Sequence, residues 1–283
     1  MTPIKTRVWG HRGCRGTSNP PENSLAAFRE AIAQGASGIE LDLFLSRDNH
    51  LVVFHDETLE RMTNGSGHVT SLTLSELKGL RLKDWRGDLT EQEIPTMDEV
   101  FRLVDGCRSE LTESLSDPQR AEQFVVNIEI KGSGIAGYVE AAIEGRLGTS
   151  WKYRNVLVSS FDMGTLDELR RLNPNVPVGA LFEGPVGNPR EPWDLQLEEL
   201  KQCLAISRNL HPQAVNITLP SLSNDAVELI RAMGAMPVAW TWKEPPPDTL
   251  SDQNRRAIAE HIRKNDITVI TDHPAQMIEL LTS

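Results

Sequence analysis

The sequence predicts an α/β fold, a TIM (β/α)8 barrel with a small insertion after the second strand. Three observations carry that expectation. Short aliphatic runs alternate with amphipathic segments along nearly the whole chain. About eight strand–helix units fit into 283 residues, a length typical of such barrels. Ionisable residues also gather at the ends of the strand-like runs, where a parallel barrel collects its functional groups. A doubly wound open sheet competes, but no Gly-x-Gly-x-x-Gly follows a strand.

In chain order, Val8-Trp9-Gly10 forms a first strand that ends in His11-Arg12-Gly13. A loop to Pro20-Pro21-Glu22-Asn23-Ser24 enters a helix over 25–32, capped by Asn23 or Ser24 and closed by Gly35. The second strand covers 39–45. A tight turn, Arg47-Asp48-Asn49-His50, leads to the apolar run 51–54, which ends in His55-Asp56. Residues from about 57 to 95 break the rhythm, with a loop at Asn64-Gly65-Ser66-Gly67 and a short helix over 74–80. They read as an insertion on the barrel, too short for a core of its own. A helix from Met97 to about Val104 follows, and 109–123 makes another helix or an exposed connection. Further strands are expected at 125–131, 155–161, 178–182, 214–219, 237–242 and 267–271. Helical segments such as 165–172, 226–233 and 255–264 lie between them.

Lys and Arg number 29 against 40 Asp and Glu, a net charge of -11 that disfavours nucleic acid and anionic membrane surfaces as partners. A small phosphorylated substrate remains compatible, because a local basic cluster can outweigh the global field. Cys14, Cys107 and Cys203 are widely separated, which suggests neither a zinc site nor a disulfide framework and fits a reducing compartment. The N-terminus lacks a secretory signal and no stretch reaches membrane-spanning length, so the chain is expected to be mature as it stands and cytoplasmic.

The chemistry centres on Glu40 and Asp42. A strand repeats every two residues, so both carboxylates share one face of an otherwise apolar run. Buried together they repel unless a cation or proton sits between them. An isolated Glu-x-Asp is more often a strand end reaching water, but this pair has company. Glu129 and Lys131 repeat the same spacing at the end of a later strand. Three carboxylates suit a hard divalent cation, Mg²⁺ or Ca²⁺, with a histidine-assisted Zn²⁺ or Mn²⁺ site as the alternative. Arg12 and Lys131 offset the acidic charge and offer donors to phosphate oxygens. His11 and His55 are the candidates for proton transfer. A lone strand-end histidine is usually a satisfied structural residue, and it is the pairing beside three acids that changes the reading. His55-Asp56 follows a β-like run, which excludes the helical metal-dependent phosphohydrolases bearing that dipeptide. Trp240 and Trp242 share a strand face, where packing at the barrel rim is the plainer reading and stacking on a substrate head group such as choline the functional one. Cys14 reads as a small loop residue and His273 as a loop cap at the barrel mouth.

In their order and spacing, His11-Arg12-Gly13, Pro21-Glu22-Asn23-Ser24, Glu40-Leu41-Asp42, His55-Asp56 and Glu129-Ile130-Lys131 resemble the motifs of the glycerophosphodiester phosphodiesterases. The likeness continues through Thr63-Asn64-Gly65 and Ile94-Pro95-Thr96-Met97 to Thr271-Asp272-His273-Pro274, nearly the whole chain. It implies a TIM barrel that hydrolyses glycerophosphodiesters to glycerol 3-phosphate and an alcohol with a divalent cation. Glu40, Asp42 and Glu129 would be the metal ligands, His11 and His55 the acid/base pair, and Arg12 and Lys131 the phosphate contacts. The chain departs from the pattern at Ser24, where many members have Thr, and at Asn49-His50, which replaces a turn glycine. It also has Trp240-Thr241-Trp242-Lys243 in place of Trp-Thr-Val-Asn, a change that bears on substrate detail more than on catalysis. Two rivals stand beside this reading. Lys131 at a barrel strand end suits a Schiff-base lyase or aldolase, and the same barrel could bind a phosphodiester without turning it over.

Overall fold

Strands separated by helical crossovers must run parallel to their neighbours, and a twisted parallel sheet of this size closes on itself. The computed structural model describes residues 7–16, 20–113, 118–183, 195–242 and 251–283, without the side chains of 112–113 and 241–242. Its strands are β1 (Val8–Gly10), β2 (Gly38–Leu45), β3 (Leu51–Val53), β4 (Val125–Ile130), β5 (Val156–Ser160), β6 (Val178–Leu181), β7 (Ala214–Ile217), β8 (Met236–Trp242) and β9 (Thr268–Thr271). The order β1-β2-β4-β5-β6-β7-β8-β9 returns to β1 through parallel pairing of β9 with β1, so eight parallel strands form a closed barrel. β3 pairs antiparallel with β2 and extends it outside the ring as a hairpin. In its turn Asn49 takes φ 65°, a left-handed conformation that asparagine tolerates, which explains how it stands in for glycine.

Alternate residues of each strand point inward, and Trp9, Val125, Leu157, Leu181, Val238 and Ile270 fill the interior. Gly38 makes room for one of them: a Cβ there would lie 2.6 Å from Trp9 Cδ1 and 2.6 Å from the Val125 carbonyl oxygen. The opposite strand faces carry Ile39, Leu41, Val126 and Ile128, packed against Phe28 and Phe101 of the surrounding helices. Each such side chain contributes roughly 1.5–3 kcal/mol when buried.

The helices are α1 (Leu25–Ala33), α2 (Leu74–Lys78), α3 (Met97–Glu113), α4 (Pro118–Gln123), α5 (Ala136–Glu144), α6 (Met163–Leu172), α7 (Leu197–Ser207), α8 (Asn224–Ala232), α9 (Asp252–Lys264) and α10 (Pro274–Thr282). Of the two candidate caps for α1, Ser24 serves, its Oγ accepting from the Ala27 amide at 3.0 Å; Asn23 is left free for another task. α3 runs on past Val104, where Gly106 interrupts the apolar pattern. Val100, Phe101, Val104 and Cys107 still share its buried face, and packing outweighs the roughly 1 kcal/mol that a helical glycine costs. α2 opens with a capping box between Thr73 and Glu76. Between β3 and α3, Leu59, Met62, Val69, Leu77, Leu82 and Ile94 pack on Phe44, Val52 and Phe54 as a satellite cluster beside the barrel mouth. Among the described residues no helix is long and apolar enough to cross a membrane.

Candidate functional site

The β2–β4 register sets Asp42 opposite Glu129 and Glu40 opposite Asn127. Since all three acids occupy inward positions late in their strands, they meet at the carboxyl end of the barrel. Glu40, Asp42 and Glu129 are each 1% exposed, and one carboxylate oxygen from each lies within 4.8 Å of the others. Burial, then the charges of Asp42 and Glu129, push the Glu40 carboxyl well above its ordinary range. Burial and Asp42 likewise raise Glu129 to about 7. Burial would raise Asp42 as well, but Arg12, Lys131 and His55 hold it at about 2. Such a cluster is costly without a positive charge at its centre.

The residues present fit a hard divalent cation. Every donor is a carboxylate oxygen, and Glu40 Oε1 is buried with no hydrogen-bond partner among the described residues. Lys131 neutralises the remainder: its Nζ lies 3.3 Å from Asp42 Oδ1 and bonds Glu129 Oε1. Those two carboxylates raise the Lys131 pKa against the burial that would lower it.

The first βα loop clamps the cluster from the side. Arg12 takes φ 49° and Gly13 φ 88°, and a Cβ on Gly13 would come within 2.6 Å of the Ala27 backbone. This left-handed turn, strained for an arginine, aims the Arg12 amide at Glu40 Oε2, 3.0 Å away. It also brings Arg12 Nε to 3.3 Å from Asp42 Oδ2. Asn23, itself at φ 57°, donates from Nδ2 to Asp42 Oδ2 at 2.8 Å.

Both histidines stand at this mouth, and each is held by a carboxylate. His11 Nδ1 is 2.6 Å from Asp272 Oδ1, just beyond the end of β9, and His11 Nε2 faces Glu40 Oε2 at 4.0 Å. His55 Nδ1 is 2.6 Å from Asp56 Oδ1. An ionised carboxylate only accepts, so Nδ1 carries the proton on both rings and Nε2 carries the lone pair. Burial lowers the His11 pKa, against Asp272, which raises it.

Glu22 joins the two dyads. Its carboxylate takes Arg12 Nη1 at 2.8 Å, Arg15 Nε at 2.8 Å and Arg61 Nη2 at 2.7 Å. Arg61 also bonds Asp56, and Arg15 Nη1 lies 3.9 Å from Asp272. Alternating charges therefore run from His11 through Asp272, Arg15, Glu22, Arg61 and Asp56 to His55. Trp240 is buried against Phe161, ring centroids 5.1 Å apart, and the Lys131 ammonium lies 5.9 Å from the Phe161 ring. Trp240 thus packs with the interior cluster and touches the Phe161 ring that neighbours the Lys131 ammonium. Trp242 keeps its place in β8, while its side chain and Lys243 lie outside the described residues.

The structure brings His11, Arg12, Glu40, Asp42, Glu129 and Lys131 together, with His55 close enough to act on the charge of Asp42. Asp272, Asp56, Glu22 and Arg61 had no role in the sequence reading. Asp272 was within its reach, because it follows the last strand just as His11 follows the first. His273 caps α10 through its backbone, with no side-chain bond to the helix.

The sequence model described as the glycerophosphoryl diester phosphodiesterase family matches residues 11–276. A glycerophosphodiester phosphodiesterase of Caldanaerobacter subterraneus is 36% identical over 98% of each chain. One from Bacillus altitudinis is 32% identical over 80% of this chain and 82% of its own. Among solved structures, the glycerophosphodiester phosphodiesterase of Thermotoga maritima superposes with TM-score 0.66 at 28% identity, covering 97% of this chain and 98% of that one. An Oleispira antarctica phosphodiesterase, solved with the product sn-glycerol-3-phosphate, shares the fold at TM-score 0.72 and 23% identity over 98% and 97% of the two chains. A match running from His11 to just beyond Asp272 takes in His11, His55, the clustered acids Glu40, Asp42 and Glu129 and the strand that closes the ring, and the chain belongs to the glycerophosphoryl diester phosphodiesterase family.

Proposed function

We propose that this barrel hydrolyses glycerophosphodiesters to glycerol 3-phosphate and an alcohol, with Glu40, Asp42 and Glu129 holding Mg²⁺ or Ca²⁺. The observation that carries the reading is the buried acid triad flanked by a histidine whose Nδ1 is tied to Asp272 and whose Nε2 faces the triad. The cation, when bound, supplies a Lewis acid for a phosphoryl oxygen. Arg12 and Lys131 stand beside the acids and take up charge that grows on the phosphate oxygens in the transition state. One histidine removes the proton of the attacking hydroxyl and the other gives a proton to the departing alcohol oxygen; the attacker is either water itself or the glycerol 2-hydroxyl, whose cyclic phosphate water then opens. Both rings have Nε2 available, as the shuttle requires.

The Schiff-base alternative loses support, because Asp42 and Glu129 keep Lys131 protonated and a protonated amine is no nucleophile. A pure binding role leaves two aspartate-oriented imidazoles without a purpose. The decisive assay follows glycerol 3-phosphate release from glycerophosphocholine, glycerophosphoethanolamine and glycerophosphoglycerol with Mg²⁺, with Ca²⁺ and with EDTA. Release with a cation and its loss in EDTA is the expected result. Full activity in EDTA, or none with any cation, refutes the proposal.

A further inference from the structure

The three acids of the site are not held alike. Asp42 is bracketed by Asn23, Arg12 and Lys131, and Lys131 also bonds Glu129. Glu40 accepts from the Arg12 amide through Oε2, at 3.0 Å, while its Oε1 is buried and unmatched among the described residues. Its neighbour in the sheet is Asn127: the β2–β4 register pairs the two residues, and each is 1% exposed. Glu40 lies two residues before Asp42, and Asn127 two before Glu129, so the strand period turns all four side chains into the barrel.

The Asn127 amide is fixed at one end. Ser159, fully buried on β5, donates from Oγ to Asn127 Oδ1 at 2.9 Å. β4 lies between β2 and β5, so an amide oxygen tied to β5 turns Nδ2 away from that strand, to the side on which Glu40 stands. Nδ2 is itself buried with no hydrogen-bond partner among the described residues. A primary amide has two N–H donors there, and burying them with nothing to accept is costly. The register offers them Glu40 Oε1, the equally unmatched acceptor across the strand pair. The reverse orientation of the amide would set its oxygen beside a carboxylate, two acceptors with no proton between them.

We propose that Asn127 is a positioning residue of the cation site: its Nδ2 braces the Glu40 carboxylate, and Ser159 holds the amide in the orientation that does so. A ligand carboxylate held in advance has less freedom to lose when a cation arrives. The proposal rests on the reading that Glu40, Asp42 and Glu129 hold a divalent cation, and it adds the residues that support one ligand from behind. The test is calorimetric titration of the full chain with Mg²⁺ and, separately, Ca²⁺, without substrate, in the wild type, Asn127→Ala, Ser159→Ala and the double variant. Losing a residue that supports a metal ligand weakens affinity about 10–100-fold, and Asn127→Ala should raise the Kd on that scale. Ser159→Ala should raise it about fivefold, the scale of one neutral hydrogen bond. The double variant should bind no worse than Asn127→Ala, because Ser159 acts only through Asn127. A merely structural role would lower the melting temperature in EDTA and leave the Kd alone, so an unchanged Kd in Asn127→Ala overturns the proposal. Should that variant fail to fold, Ser159→Ala, which removes one atom, decides the matter by the same criterion. Additive losses in the double variant overturn the part given to Ser159. A wild type that binds neither cation overturns the cation site itself, whereas wild-type binding with indifferent variants overturns the bracing alone.

Discussion

His11 Nδ1 lies 2.6 Å from Asp272 Oδ1, a contact between residues 261 positions apart in sequence. The bond fixes the tautomer, so in the proposed mechanism Asp272 acts through His11 and needs no contact with substrate. Asp272→Asn, which keeps the shape but lets the ring adopt the other tautomer, should lower kcat by about two orders of magnitude or more and change KM little. Steady-state kinetics on a glycerophosphodiester, beside an unchanged melting temperature, would separate this role from a merely structural one. His55 and Asp56 should repeat the pattern.

Cation binding should stabilise the fold, because it relieves repulsion among Glu40, Asp42 and Glu129. At a cation concentration about a hundred times its dissociation constant the gain is about 2.7 kcal/mol. Thermal melts with and without EDTA check it directly. Glu129→Gln should abolish most of both the shift and the activity.

Glu22 gives the fold an acid-sensitive joint. Burial would raise its pKa, yet Arg12, Arg61 and Arg15 hold it at about 2, against 4.5 as an ordinary value. A depressed carboxylate adds stability that is fully present above the unfolded value and is lost as pH falls from 4.5 towards 2. The difference amounts to about 3 kcal/mol. Urea unfolding at pH 7, 4 and 2 should show Glu22→Gln well below the wild type at neutral pH, with the gap closing in acid. A constant gap would mean that the charge of Glu22 is not what the three arginines hold.

Gly38 should resist substitution for reasons unconnected with flexibility. An added methyl meets Trp9 and the Val125 carbonyl at 2.6 Å each, so Gly38→Ala should cost about 1–3 kcal/mol of stability by overpacking. Chemical denaturation measures it, and a neutral effect would show that Trp9 can shift.

The barrel could be read from sequence because its signals are local. Apolar runs such as Val125 to Ile130 are bounded by turns and helices, and the period-two rule alone puts Glu40 beside Asp42. Strand ends named the triad, the two histidines, Arg12 and Lys131. The charge chain was not legible in the same way. Glu22, Arg15 and Arg61 lie in loops, and their convergence depends on the left-handed turn at Arg12 and on how the segment after His55 folds back over the mouth. The extent of α3 was hidden by Gly106, since propensity is a local signal and the face that overrides it becomes visible only in the packed structure.

The pairing of β9 with β1 has a consequence for biosynthesis. The ring shuts only when β9 docks on β1, and the same event delivers Asp272 to His11, made 261 residues earlier in the chain. Hydrolytic competence therefore waits for β9, as a report that the wall is complete. Nascent chains stalled on the ribosome before residue 272 should carry the acid triad and remain idle, which an arrest-and-assay experiment can read.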